Sequence, residues 1–164
     1  MKHFYFAVIA LCLVFIVQES VAQGRSFGLG IIIGEPTGLS AKLWTSSTTA
    51  FDFGFGWSVG GDRIGKYNGT YDGGGRVHVH VDYLWHSFDV IHSAEQVQFY
   101  YGLGGRLNNG AGYNSSLAIR GVLGAAWFPD ETPIDVFLEL VPSLQVTSST
   151  GIGIDAGIGA RYYF

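Results

Sequence analysis

The chain has 164 residues, 48% of them hydrophobic and 13% charged, with 25 glycines and a formal charge of −4. That length suits one domain with a real core, and so apolar and aromatic a composition excludes a disordered chain. The negative balance removes the basic footprint of a nucleic-acid binder, so no nucleic-acid partner is expected.

Residues 1–22 read as an export signal. Lys2 and His3 open it, positions 4–17 form an unbroken apolar run, and Ser20-Val21-Ala22 offers small residues for cleavage before Gln23. The run is shorter than the ~20 residues a spanning helix needs. Cys12, the sole cysteine, lies inside it, so thiol chemistry and disulfides are excluded from a mature chain over 23–164.

Beyond the signal, the recurring feature is alternation with a period of two, the mark of strands with two unlike faces. Phe51-Asp52-Phe53-Gly54-Phe55-Gly56-Trp57-Ser58-Val59 puts aromatic and aliphatic groups on one face and Asp, Gly and Ser on the other. Arg76-Val77-His78-Val79-His80-Val81-Asp82-Tyr83 alternates without a miss. A helix, with its period of 3.6, would mix these faces. Turn-like clusters divide the chain into eight such segments, near 26–34, 39–45, 49–59, 75–88, 96–107, 116–128, 134–146 and 151–164. The expected fold class is all-β, an eight-stranded antiparallel up-and-down transmembrane barrel. Segments 60–74 and 108–115, the latter rich in Asn and Gly, read as long loops on one rim. Pro142 removes a ladder donor inside the seventh segment, and a bulge is expected to accommodate it.

The decisive question is which face looks inward. A soluble sheet with one wet face would carry many Lys, Glu and Asp there, yet the polar faces here hold mostly Gly, Ser and isolated charges. An outer-membrane barrel inverts the assignment, with lipid outside and a polar interior. Alternation then places Lys42, Arg76, Arg106, Arg120 and Arg161 inside with Asp52, Asp82, Asp135, Glu139 and Asp155, and with His78 and His80. The two signs balance, as an ion-paired interior requires. Trp44, Trp57, Trp85 and Trp127 fall at segment ends and are expected to form aromatic girdles at the two membrane interfaces.

The closing residues Gly157-Ile158-Gly159-Ala160-Arg161-Tyr162-Tyr163-Phe164 resemble the C-terminal signal of bacterial outer-membrane barrels, with Gly159, Tyr162 and Phe164 at its key positions. Gly157 stands where that pattern usually has a polar residue. With the leader and eight segments, the chain looks like the small eight-stranded barrels typified by the OmpA membrane domain and OmpX. The stretch Gly28-Leu29-Gly30-Ile31-Ile32-Ile33-Gly34-Glu35-Pro36-Thr37-Gly38-Leu39-Ser40-Ala41-Lys42 also looks like the start of a poorly characterised group of small outer-membrane barrels. The resemblance implies recognition by the barrel-assembly machinery and residence among outer-membrane lipid and lipopolysaccharide.

Catalytic and metal motifs are thin. His78, His80 and Asp82 share one strand face and could approach a metal, but no second ligand cluster has recognisable spacing. A polar network of histidines and carboxylates is the expected role, with no metal and no cofactor. His86 and His92 are expected near the short-turn rim in solvent. His86, Ser87 and Asp89 could supply a hydrolytic set, although spacing cannot show a triad. Gly102-Leu103-Gly104 and Gly151-Ile152-Gly153 lack the helix and the Gly-Lys-Ser/Thr of a phosphate loop. The expected function is therefore a monomeric, non-enzymatic barrel with a structural or surface-contact role. Arg63, Lys66, Tyr67, Tyr71 and Tyr113 are its candidate outer-loop contacts. A lipid-modifying barrel enzyme, a narrow channel and a soluble lipocalin-like binder are the alternatives.

Overall fold

A computed structural model describes residues 25–58, 76–87, 96–110, 113–129, 132–147 and 150–164. The segment 1–22 and Arg63, Lys66, Tyr67, Tyr71, Asp89 and His92 lie outside the described residues, as do the side chains of Arg76 and Tyr113. The strands are β1 (Phe27–Gly34), β2 (Thr37–Trp44), β3 (Thr49–Ser58), β4 (Arg76–Ser87), β5 (Gln96–Gly110), β6 (Tyr113–Phe128), β7 (Ile134–Gln145) and β8 (Gly151–Tyr163). Each pairs antiparallel with its chain neighbours, and β8 pairs with β1, closing an up-and-down barrel. Closure leaves no sheet edge unpaired along the shared length of the strands.

Partner by partner, Gly28 leads through Lys42, Asp52, Asp82, Gly104, Arg120 and Ser143 to Gly153. The β8–β1 register then carries Gly153 to the level of position 38, so one circuit is displaced by ten residues, from 28 to 38. A stagger of that size in eight strands tilts them roughly 40° from the axis and leaves a lumen that side chains can fill.

The strands are unequal. β1 and β2 have 8 residues each, whereas β5 and β6 have 15 and 16. The Asn-Gly-rich stretch expected as a long loop is mostly strand. Ladder pairing continues through Asn108↔Ser116 and, past an irregularity, to Gly110↔Tyr113. Asn and Gly there lie at the end of the β5–β6 ladder, where the register shifts between Asn108 and Gly110. At the short β1–β2 corner of the same rim, Gly34 turns the chain toward Glu35-Pro36 with φ 137°, a value strained for any other residue.

Pro142 needs no bulge. The β6–β7 register is the same on both sides of it, at Arg120↔Ser143 and at Leu123↔Leu140, and only the two intervening rungs are missing. Those are the rungs that would use the amide hydrogen proline lacks. Its pairing with Ile154 on β8 is intact.

Candidate functional site

Inward positions carry the charges. Lys42, Asp52, His78, His80, Asp82, Arg106, Arg120, Asp135, Glu139, Asp155 and Arg161 all have buried side chains. An apolar cluster of Ile32, Leu84, Tyr100, Val122, Ala126, Phe137 and Val141 packs among them, so the interior is mixed rather than uniformly polar.

Arg161 is the hub of the half nearer the chain termini. Its Nε donates to both carboxylate oxygens of Asp135, at 3.1 and 3.2 Å, and one Nη donates to Asp52 and to Ser40. Its guanidinium carbon lies 3.8 Å from the Phe137 ring centroid, so the cation also has a π face beneath it. The Tyr163 hydroxyl donates to Asp135 at 2.8 Å, and the Tyr100 hydroxyl donates to Glu139 at 2.8 Å. Toward the other rim, Arg120 pairs with Asp82 at 3.1 Å and Arg106 with Asp155 at 2.5 Å. Charges removed from water in this way are tolerable only because they are paired or hydrogen-bonded, Asp52, Asp82, Asp135 and Asp155 to arginine and Glu139 to a tyrosine hydroxyl.

Glycines make these cross-barrel reaches possible. Asp82, Gly104 and Arg120 lie on one hydrogen-bonded line across β4, β5 and β6, and so do Tyr100, Gly124 and Glu139 across β5, β6 and β7. In each line a side chain lies flat over the middle strand to reach the third. A Cβ on Gly104 would meet the Asp82 carboxylate, and one on Gly124 would meet the Tyr100 ring.

Two expectations fail here. His86, expected in solvent, is buried and accepts from the Lys42 ammonium at 3.2 Å. It shares the inward parity of His78, His80 and Asp82, and its position in the alternation was the signal that could have found it. Ser87, the next residue, faces outward, so His86 and Ser87 point to opposite sides of β4 and form no catalytic pair. Trp44, expected on a girdle, shares the inward parity of Ser40 and Lys42 instead. Its ring stands 4.4 Å from that of His86 and 6.5 Å from that of Phe128. With Tyr100 and Tyr163 these rings close the terminus-side end of the lumen.

The outer wall is apolar. Trp57, Trp85 and Trp127 are exposed, Trp57 at one end of the barrel and the other two at the opposite end. Trp85 stacks on Tyr101 at 5.8 Å, and Tyr83 meets Trp85 edge to face. Among the described side chains of the eight strands, none that faces outward is charged. Tyr162 and Phe164 project outward at the closing seam with rings 5.1 Å apart, and the Phe164 amide donates to the Phe27 carbonyl. Gly159 gives up its side-chain space to the Phe137 ring.

Among the described residues, one group has metal-ligand chemistry. Asp52, His80 and Asp82 each offer an atom within 4.8 Å of the others. His78, the expected companion of His80, is not part of it and instead bonds His80 Nδ1 at 2.8 Å. No family model, curated protein or solved structure matches the chain.

Proposed function

We propose that the chain is an integral outer-membrane β-barrel of a bacterial envelope, exported by residues 1–22, with a structural or surface-contact role. One observation carries this reading: the described outward side chains of all eight strands are uncharged while the charges lie inside. A soluble antiparallel sheet has its apolar face inward and its polar face in water. Lipid reverses that arrangement. Outward tryptophan and tyrosine near the strand ends suit the headgroup level, where amphipathic rings are favoured.

The packed interior supports contact rather than free conduction, because ion pairs and aromatic rings occupy the space a solute would need. On this reading the barrel is a monomer. Lipopolysaccharide, host or neighbouring envelope molecules meet it through loop 60–74, with Arg63, Lys66, Tyr67 and Tyr71, and through the β5–β6 tip near Tyr113. Gly159, Tyr162 and Phe164, on and just past β8, are the signal that the assembly machinery would read. The test is gel mobility of protein from sedimented outer membranes, with and without boiling in detergent. A boiling-dependent shift is expected; a soluble periplasmic protein without a shift would reverse the reading.

A further inference from the structure

Asp52 and Asp82 are direct partners across the β3–β4 ladder, and like charges so placed repel. Each faces a different arginine, Asp52 facing Arg161, which also serves Asp135, and Asp82 facing Arg120. His80 is folded toward them over Gly54, where a Cβ would strike the imidazole. Its Nε2 stands 3.7 Å from Asp52 and 3.9 Å from Asp82. Those separations are too long for direct hydrogen bonds. They are close to the span of two ligand bonds of about 2.0–2.2 Å meeting at an ion.

The tautomer follows from the neighbours. Arg120 can only donate, so His78 Nε2, 3.1 Å from its Nη1, is an acceptor. The proton of the 2.8 Å contact between that nitrogen and His80 Nδ1 therefore sits on His80. The lone pair left on His80 Nε2 points at two carboxylates, an arrangement that calls for a positive group between them. Asp82 Oδ1, in a residue 1% exposed, has no hydrogen-bond partner among the described residues.

We propose that Asp52, His80 and Asp82 bind one divalent transition-metal ion of the zinc class, tying β3 to β4 inside the barrel. One imidazole and two carboxylates suit zinc, or manganese and iron, and are too hard for cuprous copper. His78 and Arg120 behind His80, and the two arginines behind the aspartates, are the outer contacts that orient such ligands.

The test uses the full mature barrel, without a polyhistidine tag, folded in lipid and stripped of metal, with zinc and then cobalt as probes. One equivalent of zinc retained after desalting, and a visible cobalt absorption, are expected. His80→Ala and Asp82→Asn should each weaken binding at least about tenfold, while His86→Gln keeps it. A boiling-dependent gel shift confirms that each variant is folded, and the isosteric Asp82→Asn serves if His80→Ala does not fold. Only trace zinc in the wild-type barrel, or undiminished binding in Asp82→Asn, would overturn the proposal. So would nitrogen-15 imidazole signals showing both His80 nitrogens protonated in zinc-treated protein.

Discussion

Asp82 on β4 reaches Arg120 on β6 by lying across Gly104 of the intervening strand, its carboxylate 3.1 Å from the guanidinium. The adjacent Gly105 faces outward, and its nearest atom to an added Cβ is 4.0 Å away. Gly104→Val should therefore break the reach and strand two buried charges, costing about 3–5 kcal/mol. Gly105→Ala should change stability by less than about 1 kcal/mol, toward stabilisation. Equilibrium urea unfolding in lipid vesicles reads both, and equal effects at the two glycines would refute the reach.

Arg161 serves Asp52 and Asp135 at once. Replacing it with Met leaves two buried carboxylates without their cation and should cost about 3–5 kcal/mol. Asp135→Asn in the same background should recover part of that loss, with a coupling of roughly 0.5–3 kcal/mol. A double-mutant cycle measured by unfolding checks it; strictly additive losses would mean the contact contributes little.

Leu103 is 62% exposed near the middle of β5. In a bilayer, Leu103→Arg should destabilise the barrel by about 2–4 kcal/mol, whereas Asn109→Arg near the end of the strand should cost about 0–1 kcal/mol. A change at Leu103 as small as that at Asn109 would mean that this wall meets water.

The inward and outward tryptophans separate by quenching. In single-tryptophan variants folded into brominated lipid, the emission of Trp57, Trp85 and Trp127 should fall strongly. Trp44, beside His86 in the lumen, should keep its emission. Quenching of Trp44 equal to the others would return it to the outer wall.

Pro142 interrupts the β6–β7 ladder without shifting it, and its ring lies 3.6 Å from where a side chain on Gly121 would begin. Pro142→Ala supplies the missing amide hydrogen and should stabilise by about 0.5–1.5 kcal/mol. Hydrogen exchange should then show new protection at position 142. A net loss of stability would mean that the ring's packing outweighs the rung.

Much of this architecture is legible because strand parity is local. Phe51 through Trp57 shows its two faces in the letters alone, and the same parity puts Lys42, Asp52 and Arg161 on one side. Trp44 and His86 follow that parity inward against the preferences of their residue types, tryptophan for interfaces and histidine for solvent. Asn108, Asn109 and Gly110 read as loop because their chemistry is turn chemistry, yet the ladder with β4 and β6 holds them in strand. The meeting of Asp52 with Asp82 was invisible. It depends on the register across the long β3–β4 connection, which no local pattern encodes.

The inequality of the strands has a consequence for whatever surrounds the barrel. Eight tilted residues in β1 or β2 rise roughly 20 Å along the axis, less than the ~25 Å apolar band of outer-membrane barrels. In a bilayer, acyl chains on that side would have to compress or the whole cylinder lean; on the β5–β6 side they would need to do neither. The barrel thus has a thin flank and a thick one. Neighbouring lipids would sort around it by chain length, giving a nearly cylindrical molecule a preferred heading in the plane of the membrane.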